Sequence, residues 1–125
     1  MGLFDGLIGN VSEVDIRSVE KDLEMIITEH EKVEKVYQLI RDLMVFTNTR
    51  LILIDKQGVS GKKVEYLSIP YKSITHFSVE TAGTFDLDDE LKIWITSAPE
   101  PIAKEFKKDN SIFDVQKALA VYVAK

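Results

Sequence analysis

The residues able to carry out chemistry in this chain are few, and their spacing does not match a catalytic or metal site. The chain has no cysteine and only two histidines, His30 and His76, which are far apart in sequence. A zinc site needs three or four ligands, and a serine nucleophile needs a histidine held beside it. No serine lies in the turn motif that exposes a nucleophile. The sequence therefore predicts a protein that is not an enzyme and holds no metal or other cofactor.

Two further segments resemble ligand-binding motifs but fail on spacing. The acidic cluster at 86–90 lacks the glycine and the distant glutamate of an EF-hand, so we favour a solvated loop over a calcium site. The segment 58–63 resembles a phosphate-binding loop, but Lys63 stands where a magnesium-binding Ser or Thr is needed and a strand follows.

Basic residues offer one candidate binding site. Lys56, Lys62 and Lys63 flank one predicted hairpin turn, where they could converge on the phosphates of an anionic lipid headgroup. The group has no arginine fork, and the predicted strand map places Arg50 at the opposite end of the strands. Lipid binding is therefore kept as an alternative to simple solvation of a strand edge.

Charge and composition narrow the class of protein. The 125 residues include 16 Lys or Arg and 21 Asp or Glu, which gives a net charge of −5. This acidic balance opposes the phosphate attraction on which nucleic-acid binding depends. With 45% hydrophobic and 30% charged residues the chain has an ordinary folded composition and no apolar run long enough for a membrane span. We expect one cytoplasmic domain, 1–125.

Most of the chain has the alternating pattern of β-strands. From Glu31 onward the apolar period is two, and Asn48 and Gly58 supply turn residues between apolar runs. Prolines fall at or beyond the ends of these runs, where a missing N–H does least harm. Seven strands are predicted, at 31–39, 43–46, 51–54, 64–69, 74–81, 91–96 and 102–106.

Helices are predicted at the two ends of the chain. Residues 1–25 form an N-terminal helical extension, in which a short glycine-interrupted helix precedes an amphipathic helix that starts near Ser12. Asn110 and Ser111 open a C-terminal helix over 111–124 with a broad apolar face. Strands followed by one such helix favour an antiparallel barrel, 31–107, whose open end the helix covers.

The sequence contains several long motifs: MGLFDGLIGN at 1–10, FTNTRLI at 46–52, GKKVEYLS at 61–68, IPYKSI at 69–74, FSVETAGTFDL at 77–87 and LKIWI at 91–95. These motifs closely resemble the bacterial pleckstrin-homology (PH) domain family. The resemblance extends over almost the whole chain, and it implies a PH-like seven-stranded antiparallel barrel with a C-terminal capping helix. Members of this family tend to form homo-oligomeric rings and have no assigned catalytic activity, so the resemblance identifies no ligand.

The hairpin 43–54 has more apolar surface than one side of a barrel can bury, because both of its strands are apolar on both sides. If one set of side chains fills the barrel, Met44 and Phe46, or their alternates, face outward with one pair from the second strand. These four side chains, assigned as Met44, Phe46, Ile52 and Ile54, expose on the order of 300 Å² of apolar surface. Something must cover this surface. Two covers remain open: the N-terminal helices of the same chain, or the equivalent surface of a neighbouring subunit.

Trp94 is a further candidate interface residue. Leu91, Ile93 and Ile95 occupy the inward face of its strand, which leaves the indole outward, and exposed tryptophan is enriched at interface centres. Burial beneath residues 1–25 is the competing interpretation.

These observations predict a non-enzymatic interaction module that assembles with itself into a ring and presents a protein-binding surface. The alternative is peripheral binding of anionic lipid through Lys56, Lys62 and Lys63.

Overall fold

The structure, a computed structural model, describes residues 8–9, 19–40, 42–57, 63–83, 88–107 and 111–124. The chain divides into two compact units, 1–68 and 69–125. The strands are β1 Ile8–Gly9, β2 Val33–Gln38, β3 Asp42–Thr47, β4 Arg50–Gln57, β5 Lys63–Pro70, β6 Ile74–Glu80, β7 Asp88–Ile95 and β8 Ile102–Lys107; a 3₁₀ turn spans Tyr71–Ser73, and the C-terminal helix spans Ser111–Val123.

The seven predicted strands, β2 to β8, and the C-terminal helix are confirmed, but the strands pair as two sheets. One sheet has the order β1-β2-β3-β4-β5 and the other β6-β7-β8. The prediction of one closed barrel is therefore not confirmed. The 3₁₀ turn at Tyr71–Ser73 connects β5 to β6.

The start of the chain differs from the predicted short helix. Ile8 and Gly9 form the two-residue strand β1, which pairs in parallel with Lys35 and Val36 of β2. Glycine is a poor helix former, and the edge of β2 offers this segment backbone partners instead. The rest of the predicted short helix, and the predicted helix start near Ser12, lie outside the described residues.

Residues 19–23 are helical. The N-terminal helices as a whole are not confirmed. The N–H of Ile27 donates to the carbonyl of Leu23 at 2.9 Å, so the turn that ends the helix is closed. Val19 and Leu23 are buried in a cluster with residues of the five-stranded sheet. The end of the N-terminal extension therefore packs on the sheet of its own chain.

The two apolar faces of the β3–β4 hairpin are both buried. Val45 lies opposite Ile52 in the register of the two strands, and both belong to the cluster beneath Val19 and Leu23. The other face carries Met44 opposite Leu53 and Phe46 opposite Leu51, all at most 2% exposed. Phe46 also meets the ring of Tyr37 edge-to-face, with centroids 5.9 Å apart.

In the second unit, the C-terminal helix packs on β6, β7, β8 and the 3₁₀ turn. Its inner stripe is fully buried, and the ring of Tyr122 stacks on that of Tyr71 with centroids 4.9 Å apart. Phe113 and Val121 of the same helix are exposed. The buried stripe consists of Ile112, Val115, Ala118 and Leu119.

We predict that Leu23→Ala lowers the free energy of unfolding by about 2 to 4 kcal/mol, because it leaves a cavity over the sheet. Met25→Ala, in the same segment, should change it by less than about 0.5 kcal/mol, because Met25 is 87% exposed. Urea unfolding followed by circular dichroism measures both. Equal effects of the two substitutions would show that the segment does not cover the sheet.

Candidate functional site

A buried ion pair joins the segment before β2 to the start of β4. Arg50 donates from Nε to Glu31 Oε2 at 2.8 Å and from Nη2 to Glu31 Oε1 at 2.9 Å, so the guanidinium grips the carboxylate with two parallel hydrogen bonds. The Glu31 side chain is fully buried, whereas that of Arg50 is 22% exposed. Such a two-pronged contact fixes the orientation of both side chains.

The remaining donors of Arg50 extend this pair to two further segments. Nη2 also donates to the carbonyl of Ile26 at 2.7 Å, and Nη1 donates to Ser68 Oγ of β5 at 2.8 Å. Thr28 donates its backbone N–H to Glu31 Oε1 at 3.2 Å. Arg50 therefore holds the chain between the N-terminal helix and β2 against the edge of the five-stranded sheet.

The turn between β3 and β4 completes the network. Thr47 and Thr49 donate their hydroxyl groups to Glu31 Oε2 at 2.6 and 2.8 Å. Asn48 accepts a hydrogen bond from the N–H of Lys32 at its Oδ1 (2.7 Å) and donates from Nδ2 to the carbonyl of His30 at 3.2 Å. The asparagine side chain thus satisfies backbone groups that would otherwise lack a strand partner.

Glu31 is ionised because its hydrogen bonds outweigh its burial. Burial alone raises the pKa of the carboxyl group, since loss of water penalises the charged form. Hydrogen bonds from Arg50, Thr47, Thr49 and the Thr28 N–H favour the charged form and lower the pKa from 4.5 to about 2. The pair therefore remains intact at neutral pH and serves to position these segments.

A second arrangement lies on the three-stranded sheet. His76 of β6 is opposite Trp94 of β7, and their rings stack with centroids 4.4 Å apart and planes 12° apart. The Thr75 hydroxyl lies 2.8 Å from His76 Nδ1 and donates to the carbonyl of Trp94 at 3.2 Å. His76 is exposed and Trp94 half-buried, so this pair is accessible to solvent.

The residues predicted for an apolar interface lie at three different places. Ile52 and Ile54 lie in the cluster that contains Val19 and Leu23. Met44 and Phe46 are on the opposite face of the hairpin and are also fully buried. Trp94 is on the three-stranded sheet. The four hairpin residues do not form one outward patch, because the strand register divides them between two buried faces.

Of the three lysines predicted to bind lipid, Lys56, Lys62 and Lys63, only Lys63 has a described side chain. Lys63 is exposed at the start of β5, while Lys62 and the side chain of Lys56 lie outside the described residues. Arg50, at the other end of β4, is held by Glu31.

The acidic residues at 86–90 do not act as one group, because successive side chains of β7 point to opposite faces of the sheet. Asp89 is buried and accepts a hydrogen bond from the N–H of Ala82 at 2.7 Å. Glu90 pairs with Lys92 at 3.6 Å, and Asp86 lies outside the described residues. Within the described ranges, no group of three His, Cys, Asp or Glu residues is arranged to hold a metal ion.

Sequence reasoning missed the Glu31–Arg50 pair. The two residues are 19 positions apart, and each falls at a predicted strand end, where a charged residue is ordinarily solvated. The available signal was the two threonines of the motif FTNTRLI, which place hydroxyl groups next to the arginine.

Comparison with known proteins agrees with this architecture. The family model described as Bacterial PH domain matches residues 2–123. The chain therefore belongs to the bacterial PH domain family, which confirms the resemblance seen in the sequence.

Two relatives come from one bacterium. Uncharacterized protein YjqA of Bacillus subtilis (strain 168) is 60% identical over 121 residues, which cover 96% of this chain and 97% of that protein. Uncharacterized protein YozO of the same organism is 37% identical over 103 residues, which cover 82% and 88%. These relatives support membership of the family, and their names assign no activity.

Solved structures show the same fold. The pleckstrin homology domain from Shewanella amazonensis SB2B has a TM-score of 0.76 and 52% identity, covering 86% of this chain and 97% of its own. A DUF1696 family protein with a pleckstrin-homology domain from Shewanella loihica PV-4 has a TM-score of 0.75 and 52% identity, covering 93% and 99%. The fold is therefore PH-like. In the part of this chain that the structure describes, no helix is long and apolar enough to cross a membrane.

We predict that Glu31→Gln lowers the free energy of unfolding at pH 7 by about 3 kcal/mol, because Arg50 loses its buried counter-charge. In the unmodified chain the folded-state pKa of Glu31 is depressed, so its contribution is present above pH 4.5 and is lost as the pH falls toward 2. The difference between the two proteins should shrink over that range. Denaturant unfolding at several pH values measures it.

Glu29→Gln is the matched control, because Glu29 is exposed two residues away. It should leave stability within about 0.5 kcal/mol of the unmodified chain. A Glu31→Gln protein as stable as this control at pH 7 would contradict the positioning role of the pair.

Proposed function

We propose that this bacterial PH domain is a non-enzymatic interaction module that assembles with itself into a ring and presents a protein-binding surface. The observation that carries the proposal is the outer face of the C-terminal helix. Phe113 is 45% exposed and Val121 is 62% exposed, although the opposite stripe of the same helix is already buried. A helix that is apolar beyond its own docking face favours a partner on the other side.

A closed ring needs two different patches on each copy, because its contacts are head-to-tail. Strand β5 supplies a second patch in the other unit. It is an edge of the five-stranded sheet, and Tyr66 and Leu67, which point to opposite sides of the strand, are each 36% exposed. Exposed edge strands with apolar side chains readily pair with another chain.

The assembly surface proposed here is not the β3–β4 hairpin. Met44, Phe46, Ile52 and Ile54 are at most 1% exposed within one chain, so a neighbour has little left to cover there. Trp94 is half-buried and remains available.

We expect the purified chain to elute as a homo-oligomer in size exclusion with light scattering at micromolar concentration. Phe113→Ser combined with Val121→Ser should shift the mass toward the monomer, because both substitutions remove apolar contact area. Gln116→Ser, at an exposed polar position of the same helix, is the control and should leave the mass unchanged. A monomeric unmodified chain with folded circular dichroism would overturn the ring.

The alternative function is binding of anionic lipid headgroups. It is favoured by one observation: Lys63 is exposed at the start of β5, next to the connection that carries Lys62 and follows Lys56. Arg50 does not join this group, since both oxygens of the Glu31 carboxylate hold its guanidinium.

If this alternative holds, the chain should float with vesicles that contain phosphatidylserine but not with neutral vesicles. Replacing Lys56, Lys62 and Lys63 by alanine should abolish flotation, while Lys72→Ala, at an exposed position in the 3₁₀ turn, should not. Flotation that survives the triple replacement would remove this site.

A further inference from the structure

The outward side of the β6-β7-β8 sheet has two chemically distinct ends. It is opposite to the side that buries Leu91 and Ile93. Because side chains alternate along a strand, the residues of this face follow from the register of the three strands. They are His76, Ser78 and Glu80 of β6, Asp88, Glu90, Lys92 and Trp94 of β7, and Ala103, Glu105 and Lys107 of β8, with Asp88 directly opposite Lys107.

One end of this face is aromatic. The rings of His76 and Trp94 stack face to face. His76 lies on β6, which is an edge strand of the three-stranded sheet. The imidazole is exposed and its orientation is fixed by the Thr75 hydroxyl. A flat arginine guanidinium stacks on such rings more readily than a compact lysine ammonium does.

The other end carries negative charge. Glu80 lies directly opposite Glu90, and Glu90 lies directly opposite Glu105, so three carboxylates form a row across the three strands. Like charges directly opposite each other destabilise a sheet. Lys92 Nζ lies 3.6 Å from Glu90 Oε1. Among the described residues, no group of acidic side chains is arranged to hold a metal ion. The negative charge of the row is complementary to a cationic side chain.

The spacing between the ends sets the length of the ligand. Glu90 and Trp94 are four residues apart on β7, which corresponds to about 13 Å along an extended strand. Lys92 lies midway between Glu90 and Trp94, and its positive charge repels a positive charge of the ligand at that point. An extended peptide with arginines at positions i and i+4, and an uncharged residue at i+2, matches this pattern.

We propose that this face binds an extended, arginine-bearing segment of a partner protein, with one guanidinium on the His76–Trp94 pair and the other on the glutamate row. This inference rests on the protein-binding part of the proposed function and does not depend on the ring.

The test uses the full chain and its single tryptophan, which lies in the proposed face. The probe is the acetylated and amidated peptide Arg-Thr-Ser-Thr-Arg, and its matched isomer, Thr-Arg-Arg-Ser-Thr, carries adjacent arginines. We expect the probe to change the tryptophan emission and to bind at least fivefold more tightly than the isomer. Equal affinities, or no change in emission at millimolar probe, would overturn the proposal.

Glu105→Gln tests the carboxylate row. It should weaken probe binding at least fivefold and raise the melting temperature, because it removes one like-charge neighbour. Glu65→Gln is the control, since Glu65 is exposed on β5 and the change in net charge is the same. An equal loss of binding in both variants would show that only overall charge matters and would overturn the site.

Light scattering of the same samples separates this inference from the ring. If the chain is oligomeric and the probe does not bind, only the peptide site fails. If the chain is monomeric and the probe binds, the ring fails and the peptide site stands.

Discussion

The constraint on which the rest of the structure depends is that the β3–β4 hairpin is apolar on both faces. Val45 and Ile52 face one side, and Met44 and Leu53 face the other, so each side must be removed from water. Burying such a side chain contributes about 1.5 to 3 kcal/mol. A sheet of this kind cannot face solvent on one side, as many antiparallel sheets do. The helical segment 19–23 provides the cover for one face.

The helical segment 19–23, which covers one face of the hairpin, must also have a fixed direction. The hydrogen bonds around Glu31 fix the chain that follows this segment. Hydrophobic contacts fix how far a helix lies from a sheet but restrict its direction less strongly. Arg50 donates to the Ile26 carbonyl and the Glu31 carboxylate, both in the connection between the helix and β2, and to the Ser68 hydroxyl of β5. Replacing a buried ion pair by apolar groups often costs little stability, whereas breaking one is costly. The pair therefore matters chiefly for the position of the segment that follows the helix.

This arrangement has a consequence for function. Because the chain covers its own most apolar hairpin face, recognition of other molecules has to use surfaces that remain exposed. In the second unit these are the outer face of the C-terminal helix and the outward side of the β6-β7-β8 sheet. The two surfaces differ in chemistry. Phe113 and Val121 offer apolar area, which suits association between copies, while His76, Trp94 and the glutamate row offer charge and stacking, which suit a selected partner.

The amino-acid sequence by itself determined the seven main strands, the C-terminal helix and the family, because period-two patterns, turn residues and long motifs are local properties. It also indicated that residues 43–54 need a cover on both sides. Only the tertiary structure decided that Val19 and Leu23 of the same chain cover one face of the hairpin. It also decided that Met44 and Phe46 lie on the other face from Ile52 and Ile54. Strand register set that division, and a register cannot be derived from the apolar pattern of a hairpin that is apolar on both faces. The Glu31–Arg50 pair and the His76–Trp94 stack were likewise decided by the fold, since each joins residues about 19 positions apart that only strand pairing brings together.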